Sequence, residues 1–446
     1  MNRTSTTSSA SVRIANLLAA TLFALVPFHA FLTVWGSTLF GHYVVLRLWN
    51  GVFLAMLTAI GMWWLVRDSA TRRWLVSNKI AHIILLYTAV TFVVTGVAYW
   101  RGGITAMALA YGVFVNLRYL AFFLLVWALA RKSNWLKRHW IPLVLGPAVV
   151  VCVVALMQYF VLPADVMKHF GYADYTIPPY ETINNNPEFI RVASTLRGAN
   201  PLGAYLALIV GSLAALLLAA KAGVRRGVLV GMSLVVALAL LVSFSRSGWL
   251  GAFVAAALVW FGWLKATKKR RIFWFVLLGV IIFTVVTFTA FQNNRAVQNA
   301  VFHTDDQSSI ETSSNEARWS HLTTALEDVR GHPLGGGAGS AGPASVYNVH
   351  SKIAENYFLQ IGQETGWVGL GLYLTIVVAV AQRLWRSRTD LLVLACFGGL
   401  VGLSLIAMLS HSWTDETVAY LWWGLAGIAL GDAEIVKPAK VRKHRA

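Results

Sequence analysis

Apolar runs of about 20 residues recur from one end of this 446-residue chain to the other, and they limit its fold more than any other feature. A hydrocarbon core roughly 30 Å thick is crossed by about 20 residues of α-helix. In lipid every backbone N–H and C=O must be bonded internally, so uninterrupted runs of this length read as spanning helices. About twelve are legible, near 14–35, 45–66, 80–99, 104–130, 141–162, 202–220, 227–244, 248–264, 272–291, 355–382, 390–411 and 417–433. Composition agrees, with 57% hydrophobic and only 12% charged residues where soluble domains carry about a quarter. The expected fold class is all-α, a polytopic transmembrane helix bundle forming one integral membrane domain over residues 1–446.

The basic residues orient the bundle. They cluster at Arg67/Arg72/Arg73/Lys79, Arg131/Lys132/Lys137/Arg138, Lys221/Arg225/Arg226, Lys265/Lys268/Lys269/Arg270/Arg271, Arg383/Arg386/Arg388 and the tail Lys437 to Arg445, after every second span. Positive loops stay in the cytoplasm, so both termini are expected there and the formal charge of +19 reads as a topology signal, not a nucleic-acid surface. The polar start MNRTSTTSSASVR is expected to be a retained cytoplasmic tail, not a removed signal peptide. Cys152 and Cys396 lie in spans without C-x-x-C spacing, which favours two inert buried thiols.

Two segments on the opposite, non-cytoplasmic face are long, 163–201 and 292–354, and loops of that length are usually functional or disordered. Their aromatics, prolines and asparagines argue for order. In the second, Trp319, Leu322, Leu326 and Val329 predict an amphipathic helix near 315–330, with Ser313 and Glu316 in capping-box spacing and Gly331 at its end. It would lie either on the membrane surface or on the rest of the loop. "GHPLGGGAGSAGPAS" (331–345) follows, read as an anion-facing lining or a compact turn; no G-K-[ST] completes a nucleotide loop. Asp305-Asp306 reads as a solvated pair, and no metal or other cofactor is expected.

Arginine near a span is costly and tends to mark a site. Arg191 and Arg197 precede the sixth span in "RVASTLRGANPLGAYL", and Arg246 occupies the turn "SFSRSGWL". A guanidinium fork suits phosphate; snorkelling to lipid phosphate is the alternative. Arg118 either lines a cavity or pairs internally. In "VHSKIAENYFLQIGQETGWVGLGLYL", Glu355 and His350 are candidate general bases, Glu355 having a second explanation as a carboxylate at a helix start. Trp319, Tyr347, Tyr357 and Trp367 have aromatic faces that suit stacking on sugars and equally suit an interfacial belt, while His321 reads more simply as an interfacial residue.

The series "RVASTLRGANPLGAYL", "SFSRSGWLGAF", "HPLGGGAGSAGPAS" and "ENYFLQIGQETGWVGL", separated by apolar spans over about residues 190–370, resembles the O-antigen ligase/polymerase superfamily. That resemblance implies a GT-C-like glycosyltransferase of the bacterial inner membrane, moving a glycan from undecaprenyl diphosphate to an acceptor hydroxyl on the periplasmic side. The acceptor is a lipid A core for a ligase or a growing glycan for a polymerase. It also implies that Arg191, Arg197 and Arg246 contact the donor diphosphate; Asn200 is a further candidate there, and Asn356, Tyr357, Trp319 and His321 are candidate glycan or acceptor contacts. The ligase pattern of His-Asn or His-Ser, nine residues, then Gly-x-x-Gly ends here at Gly366 and Gly369 but starts at Glu355-Asn356, so a glutamate stands where the family has histidine. A lipid-linked glycan flippase or an assembly scaffold are the competing classes.

Overall fold

A computed structural model describes residues 10–183, 186–264, 267–294, 297–298, 314–348 and 350–435; Asp305, Asp306, Ser313 and the basic tail lie outside the described residues. Its helices are α1 (Ala10–Leu25), α2 (His29–Phe40), α3 (Tyr43–Arg47), α4 (Trp49–Arg67), α5 (Ser69–Ser77), α6 (Lys79–Trp100), α7 (Ala106–Lys132) and α8 (Trp135–Phe160). After a hairpin of β1 (Glu181–Ile183) and β2 (Asn186–Arg191) come α9 (Ala199–Ala219), α10 (Val224–Val242), α11 (Arg246–Trp263) and α12 (Thr267–Ala290). The last four are α13 (Ser314–Gly331), α14 (Tyr357–Arg386), α15 (Leu391–Ala407) and α16 (Glu416–Ile435).

With α1 and α2 taken together, twelve helical segments occupy the twelve apolar runs. Among the described residues nine are long and apolar enough to cross a membrane. The other three, α11, α15 and α16, face protein: α11 packs on α9 and α15, and α16 runs along α7. A helix walled by helices need not be uniformly apolar. It needs small residues where backbones approach. Gly203 faces Gly248 across α9 and α11, and a Cβ on Gly402 would stand 2.5 Å from the Gly251 carbonyl across α11 and α15.

The basic loops share one face. Lys132 pairs with Asp68, Lys137 lies 2.9 Å from Asp390, and Arg131 stacks over Trp74 at 5.4 Å. The two long loops share the other, where Thr105 at the start of α7 bonds Tyr347 and Asn348. Cys152 and Cys396 are buried free thiols.

Local breaks position the functional face. Pro27 has no N–H to donate, and the chain passes from α1 through a 3₁₀ turn, Val26–Phe28, into α2. The carbonyls released there are taken up at a distance: Thr417 Oγ1 donates to Val26 O (2.9 Å) and Thr195 Oγ1 to Pro27 O (2.9 Å). A second break occurs inside α14, where Gly366 has φ +66 and the freed Trp367 N–H donates to Pro333 O (3.0 Å). The first long loop departs from all-helical expectation by its small antiparallel hairpin, Glu181 opposite Arg191.

The second loop resolves its two sequence readings. Helix α13 packs against α14 through buried Ala325 and Val329, with Leu322 and Leu326 half-buried, while Trp319 is 69% exposed. The stripe therefore turns toward protein and only its first member faces out. The glycine-rich stretch after α13 threads into the bundle: Gly335, Gly337, Gly339 and Gly342 all have positive φ, and a Cβ on Gly339 would lie 2.2 Å from the Ala108 carbonyl.

Candidate functional site

The segment from Ala193 to Pro201 is held from three sides. Ser194 adopts φ +54, a strained conformation for a residue with a side chain. It is fixed because its N–H donates to Gln158 Oε1 (2.8 Å) and its hydroxyl to Val151 O (2.7 Å), both on α8. Thr195 is fixed by the Pro27 break. Arg197, 40% exposed at its side chain, is thereby presented 3.9 Å from Asp415.

Arg191 and Arg246 take a neighbouring place. Arg191 donates to Asn200 Oδ1 (2.7 Å) and Ser243 O (3.3 Å) and lies 3.6 Å from Glu181. Asn200 Oδ1 also accepts from the hydroxyl of Ser245, which caps α11 immediately before Arg246. Asn200 thus ties the end of the first loop to the turn that carries Arg246, and Phe244 in that turn is itself left-handed at φ +48. Arg197, Asn200, Glu181, His411 and Asp415 line a cavity of about 230 Å³.

Arg197 and Asp415 also line a second cavity of about 250 Å³, with Arg47, Arg118, His29 and Glu416. Arg118 both pairs internally and lines this cavity. It is 4% exposed, bonds Glu416 at 2.8 Å and Tyr119 Oη at 2.6 Å, and lies over the Tyr119 ring at 4.8 Å. The second oxygen of Glu416 meets His29 Nε2 in a short ion-pair contact. Arg47 sits over the Tyr111 ring at 5.5 Å. Three guanidinium groups face two carboxylates and an imidazole, so the cavity keeps cationic character. Burial raises the Asp415 carboxyl above its ordinary range, and Arg197 pulls it back. Burial, assisted by the charge of Arg197, pushes the His411 imidazole down to about 4. Its Nδ1 is sealed from the surface with no hydrogen-bond partner among the described residues.

The residues at the start of α14 are distributed differently. His350 lines a separate cavity of about 790 Å³ with Asp328, Lys352 and Gln363, and is not in the cavity of the arginines. Asp328 organises its wall, accepting from Lys352 Nζ (3.1 Å) and Gln363 Nε2 (3.0 Å); these contacts outweigh burial and hold its carboxyl below the usual range. Glu355 is half-buried beside Asn356, whose amide is spent inside the protein: Oδ1 caps Leu359 N and Nδ2 donates to Met408 O, both at 3.0 Å. Tyr357 is buried against Tyr373, and Trp319 and His321 are exposed on α13. Of the glycine-rich N–H groups, Gly339 donates to Glu364 Oε1 (2.8 Å), whose other oxygen accepts from Asn116 (2.6 Å). That amide is bound by the chain's own carboxylate, which supports the compact-turn reading. The loop still reaches both cavities: Pro343 lines that of the arginines and Ser340, Asn348 and His350 line the other.

His29, Arg47, Asp415, Glu416 and His411 were not among the residues singled out in the sequence. The available signal was an ionisable residue inside or at the edge of an apolar run: His29 within the first, Arg47 at the start of the second, and the Asp-Glu pair before the last.

Residues 231–374 match the family model described as O-antigen ligase, a glycosyltransferase-type family. That segment includes Arg246, the glycine-rich loop, His350, Glu355 and the Gly366 break; Arg47, Arg118, Arg197 and Glu416 lie outside it and meet it at Pro343. Comparison with curated proteins gives no match.

Proposed function

From the premise that the chain belongs to the O-antigen ligase/polymerase superfamily, which its match over residues 231–374 supports, we propose that it transfers a glycan from a polyprenyl diphosphate donor to an acceptor hydroxyl. The observation that carries this reading is the gathering of Arg47, Arg118 and Arg197 around one cavity at the face of the long loops. Undecaprenyl diphosphate fits there with its tail in the bilayer. Charge builds on the diphosphate as the sugar–phosphate bond breaks, so preorganised guanidinium groups stabilise the transition state more than the ground state. Arg118, locked by Glu416 and Tyr119, supplies the fixed charge, while Arg47 and Arg197 are the forks open to phosphate oxygens. Asn200 lines the adjoining cavity, and its hydrogen bonds to Arg191 and to Ser245, the residue before Arg246, hold that rim in place.

In this scheme the acceptor enters from the His350 side, with the glycine-rich loop as the partition between donor and acceptor spaces. Glu355 or His350 takes the hydroxyl proton as the oxygen attacks the anomeric carbon, and a single displacement inverts that carbon. The positive-inside rule puts the basic loops in the cytoplasm and this chemistry in the periplasm of the bacterial inner membrane. A ligase acting on a lipid A core is the first reading; a polymerase extending a glycan uses the same donor site.

The flippase reading has one observation in its favour, the broken α14 with buried Glu364, since interrupted helices with acidic groups recur in transporters. Purified protein given lipid-linked oligosaccharide and acceptor separates the two. Release of undecaprenyl diphosphate with a glycosylated acceptor is expected; movement of intact donor between leaflets without release would replace transfer by transport.

A further inference from the structure

A cavity on the basic face belongs to no step of the transfer reaction. It measures about 1,050 Å³ and lies between α5, the start of α6, the end of α7 and α14. Arg72, Arg73, Lys79, Arg131 and Arg383 line it, and among the described residues no carboxylate does. Trp74, Asn78 and Trp127 complete the lining, with Trp74 Nε1, Asn78 Nδ2 and Trp127 Nε1 turned away from solvent and without a hydrogen-bond partner among the described residues. Trp74 and Trp127 are 6% and 1% exposed, so their indole N–H groups are buried at the cost of unmet hydrogen bonds. Five formal cations facing no carboxylate among the described residues specify an anion.

The setting specifies which kind. Helix α5 is nine residues long and joins two spans; it turns Thr71 and Trp74 inward and leaves Arg72, Arg73 and Val76 exposed, the pattern of a helix lying at a membrane surface. The lining mixes these charges with Val76, Ile80 and the two indoles, an apolar base beneath a cationic rim. Arg72 is anchored by donating to Leu65 O (2.9 Å) and Val66 O (2.7 Å) at the end of α4, which holds the rim against the spans.

We propose that this cavity is a binding site for the headgroup of an anionic phospholipid, its phosphate oxygens taking the Arg73 and Lys79 cations while its acyl chains lie along the neighbouring spans. The site is independent of the donor cavity, which opens on the other face. A headgroup with two phosphates matches the accumulated charge better than one with a single phosphate.

The test uses the full chain in detergent–lipid micelles, with melting temperature read against added lipid. Wild type should gain several degrees with cardiolipin, less with phosphatidylglycerol and nothing with phosphatidylcholine. Arg73→Gln/Lys79→Gln should melt like wild type in phosphatidylcholine yet lose most of the cardiolipin shift. Arg225→Gln/Arg226→Gln, which removes exposed cations of another basic loop, should keep it. An undiminished shift in the Arg73/Lys79 variant, or an equal loss in the Arg225/Arg226 variant, would overturn the site in favour of diffuse surface charge. The same shift from inorganic phosphate or pyrophosphate without lipid would overturn the lipid assignment.

Discussion

Arg118 and Glu416 form the most deeply buried charge pair of the functional face, with side chains 3% and 12% exposed. Removing one partner strands the other, which typically costs about 3–5 kcal/mol, whereas replacing both by apolar groups is far milder. Arg118→Met should therefore lower the melting temperature more than Arg118→Met/Glu416→Leu; equal losses would mean that the pair is not coupled. His411 supplies a pH dependence. Its folded-state pKa of about 4 lies below the unfolded value of 6.5, so the unfolded chain binds the extra proton between them. Stability should fall as pH drops from about 6.5 to 4, and His411→Asn should flatten that decline; parallel profiles would refute the assignment. Asp415 leans the opposite way because its raised pKa favours the protonated folded form, so the difference between wild type and variant is the informative quantity. At this scale the sequence revealed the cations beside the prolines and glycines of loops, such as Arg197. It concealed His29 and Glu416, whose meaning depends on helices 387 residues apart meeting, which spacing along a chain does not encode.

Among the elements, the twelve apolar segments were legible because burial in lipid demands length and hydrophobicity together, a signal that needs no tertiary partner. The interruptions were not. Pro27 sits inside a continuous apolar stretch and Gly366 directly after the polar Gln363-Glu364-Thr365, and each break is stabilised by distant groups, Thr195 and Thr417 for the first and Pro333 for the second. The amphipathic stripe of α13 gave the helix but not its seat, since a surface facing lipid and one facing α14 have the same periodicity. The glycine-rich loop shows what such a seat requires. At Gly339 a side chain would combine φ +89 with a Cβ 2.2 Å from the Ala108 carbonyl and displace the amide held by Glu364. Gly339→Ala should therefore release the loop, seen as faster protease cleavage between α13 and α14 and a loss of activity. Cleavage and turnover at wild-type rates would show that the loop is dispensable as a partition.

For the whole molecule, the two faces divide the chemistry. Ion pairs such as Lys137–Asp390 knit the basic loops on one side, and a network from Pro27 through Thr195, Arg197, Asp415 and Glu416 knits the other. The long loops stood out by length alone, but the cavity they cap is assembled from the first, second, fourth and last spans as well as from the loops. The central claim is that the guanidinium groups around this cavity hold a departing diphosphate. Its most direct test is single-turnover transfer from lipid-linked oligosaccharide by the Arg47→Gln/Arg197→Gln variant, with donor in excess of its binding constant so that only the chemical step is compared. Loss of each donor to a developing anion usually costs about 10²–10³ in rate. The account predicts a fall of at least that size while the protein remains folded in the membrane; transfer at the wild-type rate would contradict it.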